Sequence, residues 1–112
     1  MQRKLPHLLA MGTSIGLIAA ALAQDLPGNI ASGRHIAESW CTRCHQINLD
    51  ELVPLPYPPN FVEIANMPST TALAINVFLR TSHDVMPNYQ LSHEEIDDVV
   101  AFILSLKDKK MP

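Results

Sequence analysis

The chain has 112 residues and a net charge of −3, with 47% hydrophobic and 17% charged residues. This length allows one small domain and excludes a large two-domain enzyme. The negative charge, without a basic run in the body of the chain, argues against nucleic acid as a partner. The only two cysteines, Cys41 and Cys44, are too few for a scaffold held by several disulfides.

The first 23 residues have the pattern of a signal peptide. Two basic residues stand near the start, residues 8–21 carry no charge, and a small-x-small sequence ends at Ala23. The uncharged run is shorter than the roughly 20 residues that a membrane-spanning helix needs. We therefore predict that residues 1–23 are cleaved after export to the periplasm and that residues 24–112 form one domain. Contact with a membrane is expected only if the signal segment is retained as an anchor.

The first predicted helix covers residues 30–44, followed by a long loop. Apolar and small residues recur every three or four positions along this helix, and Asn29 is its N-cap candidate. Residues 46–62 then interrupt every periodic pattern. Four prolines lie close together there, which predicts a loop wrapped over something apolar: Pro54, Pro56, Pro58 and Pro59.

Two further helices are predicted after this loop. The second covers residues 70–80, with Ser69 as its N-cap. Its predicted inner face is apolar: Leu73, Val77 and Phe78. The third begins at a capping box of Ser92 and Glu95 and continues with apolar residues at helical spacing. No strand-like alternation of useful length occurs, so an all-α fold is predicted.

Acidic residues cluster at the start of the third predicted helix: Glu94, Glu95, Asp97 and Asp98. Acidic side chains in the first turn stabilise a helix through its dipole. We therefore expect this cluster to face water and stabilise the helix, rather than to dock a basic partner.

Residues 41–45, with the sequence Cys-Thr-Arg-Cys-His, carry the predicted chemistry. Positions i, i+3 and i+4 of a helix share one face, so Cys41, Cys44 and His45 can present two sulfurs and an imidazole to one planar partner. Haem meets this requirement, because its vinyl groups form thioether bonds with cysteines and its iron binds histidine. We predict one covalently bound haem c, attached to Cys41 and Cys44, with His45 as an axial ligand of the iron.

Three other uses of the two cysteines remain open. A thiol-disulfide oxidoreductase would use Trp40-Cys41-x-x-Cys44, but such a motif follows a strand and here it follows a helical pattern. A zinc site would need a fourth ligand from elsewhere in the chain. A structural disulfide would leave His45 without a role.

The sequence resembles the class I c-type cytochromes, a family of small monohaem electron carriers. The resemblance covers residues 30–45 and 86–106, and it is loose between them. It implies a small cytochrome c-like fold, with three main helices wrapped around one haem. In that family a glycine of the first helix packs against an aromatic residue of the last helix, and Gly33 and Phe102 match these positions.

The resemblance also implies that a Met-Pro pair supplies the second axial ligand, and Met86 matches it. A second such pair begins at Met67, which we expect to pack against the haem edge. His83 could replace Met86 as the ligand, and an open sixth position is the other alternative. The proline-rich loop should supply a carbonyl that accepts a hydrogen bond from His45, with Pro54, Pro56 and Pro58 as candidates.

The function that the resemblance implies is transfer of single electrons, not enzymatic catalysis. The donor would be a dehydrogenase or a quinol-oxidising complex, and the acceptor an oxidase or a reductase. The chain could also be the cytochrome subunit of such a complex. The alternative function is a haem enzyme or gas sensor whose sixth iron position is open or exchangeable.

Overall fold

The computed structural model describes residues 26–52 and 58–110. The predicted signal peptide and residues 53–57 of the predicted loop, which include Pro54 and Pro56, lie outside these ranges. The described residues form four α-helices and one short 3-10 helix, and none of them is in a strand. The elements are α1 (Ile30–Trp40), a 3-10 turn (Leu49–Glu51), α2 (Phe61–Asn66), α3 (Ala72–Arg80) and α4 (His93–Ser105). The predicted all-α fold is confirmed. None of the described helices has the length and apolar character needed to cross a membrane.

Helix α1 begins where the sequence predicted and ends four residues earlier. The side chain of Asn29 accepts a hydrogen bond from the backbone N–H of Ser32 at 2.9 Å, which confirms the N-cap. The carbonyl of Ala37 accepts from the N–H groups of both Cys41 and Thr42, at 2.8 and 3.3 Å. Because one carbonyl serves two donors, the regular helical ladder stops at Trp40, and the predicted end at residue 44 is wrong.

Helix α2 is an element that the loop prediction for residues 46–62 missed. Asn60 accepts from the N–H of Glu63, and the Glu63 carboxylate accepts from the N–H of Asn60, which forms a capping box. All the prolines of the loop precede this box, so none of them interrupts the helix that begins at Phe61. Residues 26–52 and 58–110 therefore contain three longer α-helices and one short α-helix.

Helix α3 differs from the prediction at its start and in its inner face. Its N-cap is Thr71, whose hydroxyl accepts from the N–H of Ala74, and not Ser69. The buried residue is Ile75, whereas the three residues predicted to face inward are about half exposed or more. Their exposed fractions are 72% for Leu73, 51% for Val77 and 46% for Phe78. Since Ile75 is on the side that packs on α4, the helical period turns Leu73 and Val77 away from the core, whereas Phe78 stacks on the ring of His83.

Helix α4 is the centre of the domain and contacts all three other α-helices. Its predicted capping box is present, with reciprocal hydrogen bonds between Ser92 and Glu95. Its apolar side supplies much of the core: Ile96, Val99, Val100, Phe102 and Ile103. This packing, rather than helix propensity alone, stabilises a helix of this length.

Two of the acidic residues on α4 do not face water as expected. Asp98 is 9% exposed, and its carboxylate accepts a hydrogen bond from the backbone N–H of Asn29. The carboxylate of Asp97 accepts from the side-chain amide of Asn76 at 3.1 Å. Both acids therefore join α4 to neighbouring segments, whereas Glu94 and Glu95 are exposed.

Helices α1 and α4 approach each other closely at Gly33. A Cβ atom at this position would overlap the carbonyl group of Asp98. The predicted close approach at Gly33 is therefore present, but the nearest atoms are the backbone of Asp98 and Val99 and not the ring of Phe102. The two helix backbones can come this near only because glycine has no side chain.

Candidate cofactor site

Residues 41–45, here called the attachment turn, form a single turn directly after α1. The carbonyl of Cys41 accepts hydrogen bonds from the N–H groups of Cys44, at 3.1 Å, and of His45, at 2.8 Å. These two bonds bring the residues at positions i, i+3 and i+4 onto one turn of backbone. The three residues therefore lie together on one turn, although the regular helix has already ended at Trp40.

His45 is oriented by the proline-rich loop. Its Nδ1 atom lies 2.7 Å from the carbonyl oxygen of Pro59. Because a carbonyl can only accept, Nδ1 donates the proton of this bond, and in this tautomer the lone pair of the ring is on Nε2. The loop was predicted correctly as the source of this carbonyl. The three candidates Pro54, Pro56 and Pro58 were wrong, because the accepting residue is Pro59.

The ring of His45 also packs on the core. It lies 5.4 Å from the ring of Phe61, which is in turn 6.1 Å from the ring of Phe102 on α4. Phe61 and Phe102 are both buried. The hydrogen bond and this row of rings together fix the imidazole plane, which is what a coordinating histidine requires.

Both cysteines are free thiols in the structure. Cys41 is partly buried against the core, and burial raises the pKa of its thiol to about 11. A thiol-disulfide oxidoreductase needs the opposite, a nucleophilic cysteine of lowered pKa. A redox motif of that kind also follows a strand, and the described residues form no strand.

Residues 81–91, here called the Met86 loop, connect α3 and α4. Met86 is half-buried, whereas Met67, at the end of α2, is 41% exposed. The ring of His83 is stacked on that of Phe78, with centroids 3.7 Å apart and planes at 27°. His35 and His93 are both exposed, and His93 contacts Arg80.

Two surface features were not foreseen from the sequence. Trp40 is 48% exposed and meets Tyr89 edge-on at a centroid distance of 5.0 Å. The exposed side of α3 is apolar along its length and reaches the Met86 loop through the stack of Phe78 and His83. Contiguous apolar surface of this kind marks a binding site in a soluble domain.

These residues fit a covalently bound haem. Two free thiols on one turn can form two thioether bonds, and an oriented imidazole with a free Nε2 can bind iron. The exposed apolar side of α3 suits a flat, apolar group. No cluster of three or more His, Cys, Asp or Glu side chains in the described residues could hold a bare metal ion, so zinc gains no support. The fold and the donor set are those of a small c-type haem domain.

Comparison with known proteins agrees with this class. Residues 28–103 match the family model described as cytochrome c oxidase, cbb3-type, subunit III. A cytochrome c-552 from Bradyrhizobium diazoefficiens is 29% identical over 102 residues, which cover 90% of this chain and 98% of that protein. No solved structure gives a match. The chain belongs to the cytochrome c family, with a domain of the cbb3 subunit III type.

Membership of this family establishes the cofactor and the general activity. Cytochromes of this family carry covalent haem c and typically act as electron carriers, so haem c is the cofactor of this chain. Bacterial c-type cytochromes are exported, and they exchange electrons with redox partner proteins.

Proposed function

We propose that this chain is a periplasmic monohaem electron carrier whose haem is linked to Cys41 and Cys44, with His45 and Met86 as axial ligands. The observation that carries the proposal is the 2.7 Å hydrogen bond from His45 Nδ1 to the Pro59 carbonyl, on the same turn as two free thiols. A histidine held in this way, with Nε2 left to bind, is arranged for coordination and not for surface solvation.

The haem supplies an iron that is reversibly oxidised and reduced by one electron. The chain supplies its position and its ligands. His45, made more basic by the hydrogen bond to Pro59, stabilises the oxidised iron. The neutral thioether of Met86 favours the reduced iron and raises the reduction potential. With His45 and Met86 as its two ligands, a bound haem would have no open position for a small molecule and would serve in electron transfer.

Met86 is preferred over the two other candidates for the second ligand. Met67 is 41% exposed at the end of a short helix, a position that favours contact with solvent. His83 already packs its ring on Phe78 at 3.7 Å. Met86 is half-buried in the middle of a loop whose two flanks both contact neighbouring elements, which supports its assignment.

The proposed partners are redox proteins of the periplasm. The donor is a dehydrogenase or a quinol-oxidising complex, and the acceptor is an oxidase or a reductase. The matching family is named for a subunit of a cytochrome c oxidase. As a second arrangement, we therefore propose that the chain is the cytochrome subunit of such a complex. Residues 1–23 are proposed to be the cleaved signal peptide and residues 24–112 the mature domain.

A redox titration combined with exposure to carbon monoxide tests this function. We expect the visible spectrum to follow a one-electron curve and the reduced protein to bind carbon monoxide only slowly, because Met86 must first leave the iron. The control is Met86→Ala, which opens the sixth position and should bind carbon monoxide. A parent protein that binds carbon monoxide readily when reduced would instead be a gas sensor or a haem enzyme.

A further inference from the structure

The Met86 loop needs contacts with the rest of the domain to hold its central residue in place. Its internal hydrogen bonds include the Asn88 amide donating to the Ser82 hydroxyl at 3.2 Å and the Tyr89 N–H donating to the Pro87 carbonyl at 3.1 Å. These bonds shape the loop but do not fix where it lies. Its position depends on side chains that reach other elements.

Two aromatic contacts meet this need on either side of Met86. Three residues before it, His83 stacks on Phe78 of α3. Three residues after it, Tyr89 meets Trp40, with centroids 5.0 Å apart and planes at 83°, the edge-to-face arrangement that aromatic pairs favour. The loop is therefore held at both flanks.

The contact between Trp40 and Tyr89 joins segments that are further apart in the chain than those joined by His83 and Phe78. His83 and Phe78 are close in sequence and join the loop to the helix that precedes it. Trp40 directly precedes Cys41, so its contact with Tyr89 joins the Met86 loop to the attachment turn. Trp40 is 48% exposed, so filling the core does not account for the position of its ring.

We propose that Trp40 and Tyr89 are a positioning pair that holds the Met86 loop against the attachment turn and so keeps the Met86 thioether available to the iron. The inference rests on the proposed axial role of Met86. When the ring contact is lost, the loop moves away more often, and an external ligand reaches the iron more easily. Neither residue binds the iron itself.

The test is the rate at which the reduced holoprotein binds carbon monoxide at high ligand concentration, where the departure of Met86 limits the reaction. We expect Tyr89→Leu to raise this rate roughly 2- to 10-fold, the equilibrium factor that one aromatic pair contributes. Tyr89→Phe keeps the ring and should react at the parent rate. The weak far-red absorption of ferric iron bound to methionine should decrease in Tyr89→Leu and persist in Tyr89→Phe.

A double-substitution cycle separates the pair from general loosening of the domain. Trp40→Leu should reproduce the effect of Tyr89→Leu, and the double variant should react no faster than either single variant, because both remove the same contact. If the Trp40→Leu protein does not acquire haem, comparison of Tyr89→Leu with Tyr89→Phe is a sufficient test. Neither of these two substitutions alters the attachment turn. Additive effects of the two substitutions, or equal rates in Tyr89→Leu and Tyr89→Phe, would overturn the proposal.

The parent protein and Met86→Ala distinguish a failure of this inference from a failure of the proposed function. If the parent lacks the far-red band, or Met86→Ala retains it, the ligand assignment is wrong. If the parent has the band, Met86→Ala loses it, and Tyr89→Leu behaves as the parent does, then Met86 is the ligand and only the positioning role fails.

Discussion

The Nδ1 atom of His45 donates a hydrogen bond to the carbonyl oxygen of Pro59 across 2.7 Å, and this bond joins the attachment turn to the proline-rich loop. The bond fixes the ring tautomer and increases the electron density at Nε2. A more basic imidazole stabilises ferric iron, so the bond should lower the reduction potential.

Substitution of Pro59 by glycine is expected to raise the reduction potential. Glycine keeps the carbonyl but frees the backbone, so the acceptor is held less firmly and His45 becomes less basic. The same change should reduce stability by about 1 kcal/mol, because the unfolded chain gains conformational freedom. Potentiometric titration checks the first effect. Pro58→Gly is the matched control, and an equal rise in potential for both variants would refute a specific role of the Pro59 carbonyl.

Gly33→Ala adds only one methyl group but should destabilise the domain strongly. The added carbon would overlap the carbonyl of Asp98, so α1 and α4 must separate. Overpacking of this kind costs about 1–3 kcal/mol. Denaturant unfolding of the holoprotein measures the loss. The neighbouring substitution Ser32→Ala, on the exposed side of α1, should change stability by less than about 0.5 kcal/mol, and a similar small effect at Gly33 would contradict the close approach.

The capping box of α4 should make stability depend on pH in the acidic range. The backbone N–H of Ser92 donates to the Glu95 carboxylate at 2.7 Å, and this bond, with that of the Ser92 side chain, lowers the carboxyl pKa from its ordinary 4.5. A group with a lowered pKa in the folded state stabilises the fold above its unfolded pKa. That contribution is lost as the pH falls through the folded pKa.

Glu95→Gln removes this titration and should flatten the fall in stability below about pH 4.5. The measurement is the free energy of unfolding at a series of pH values for the parent and the variant. Glu94→Gln removes a charge from the same turn but leaves the capping box intact. It should keep the pH dependence of the parent. If the two variants have the same profile, the capping box is not the cause.

Met86→Ala should abolish the far-red absorption of the oxidised protein and lower its reduction potential. Loss of the thioether removes the ligand that favours ferrous iron. Met67→Ala is the matched control, because Met67 also precedes a proline but is exposed. It should retain both the band and the potential. Loss of the band in Met67→Ala, with its retention in Met86→Ala, would reverse the assignment of the ligand.

The parts of the fold that could be predicted from the sequence are those determined by neighbouring residues. The caps at Asn29 and Ser92 depend on bonds within three residues, and both were predicted correctly. The same local signal is present at Asn60 and Glu63, but the prolines before it dominate the pattern of that segment. The all-α class follows from helical periodicity and the lack of strand patterns.

The rest depends on contacts between distant segments. No local pattern distinguishes the carbonyl of Pro59 from those of the neighbouring prolines as the acceptor for His45. Periodicity showed that α3 has an apolar side but not which side packs on α4, because the chain is apolar at Ile75 as well as at Leu73 and Val77. The pairing of Trp40 with Tyr89 likewise depends on how the end of α1 and the Met86 loop come together.

The most direct test of covalent haem attachment at Cys41 and Cys44 is extraction of the protein with acidified organic solvent. The measurement is how much colour stays with the polypeptide. The protein should be exported with a cytochrome maturation system and its visible spectrum recorded before and after extraction. We predict that the parent keeps its colour, whereas Cys41→Ser/Cys44→Ser loses it to the solvent. A parent chain that is colourless, or that releases all its colour on extraction, would contradict the account.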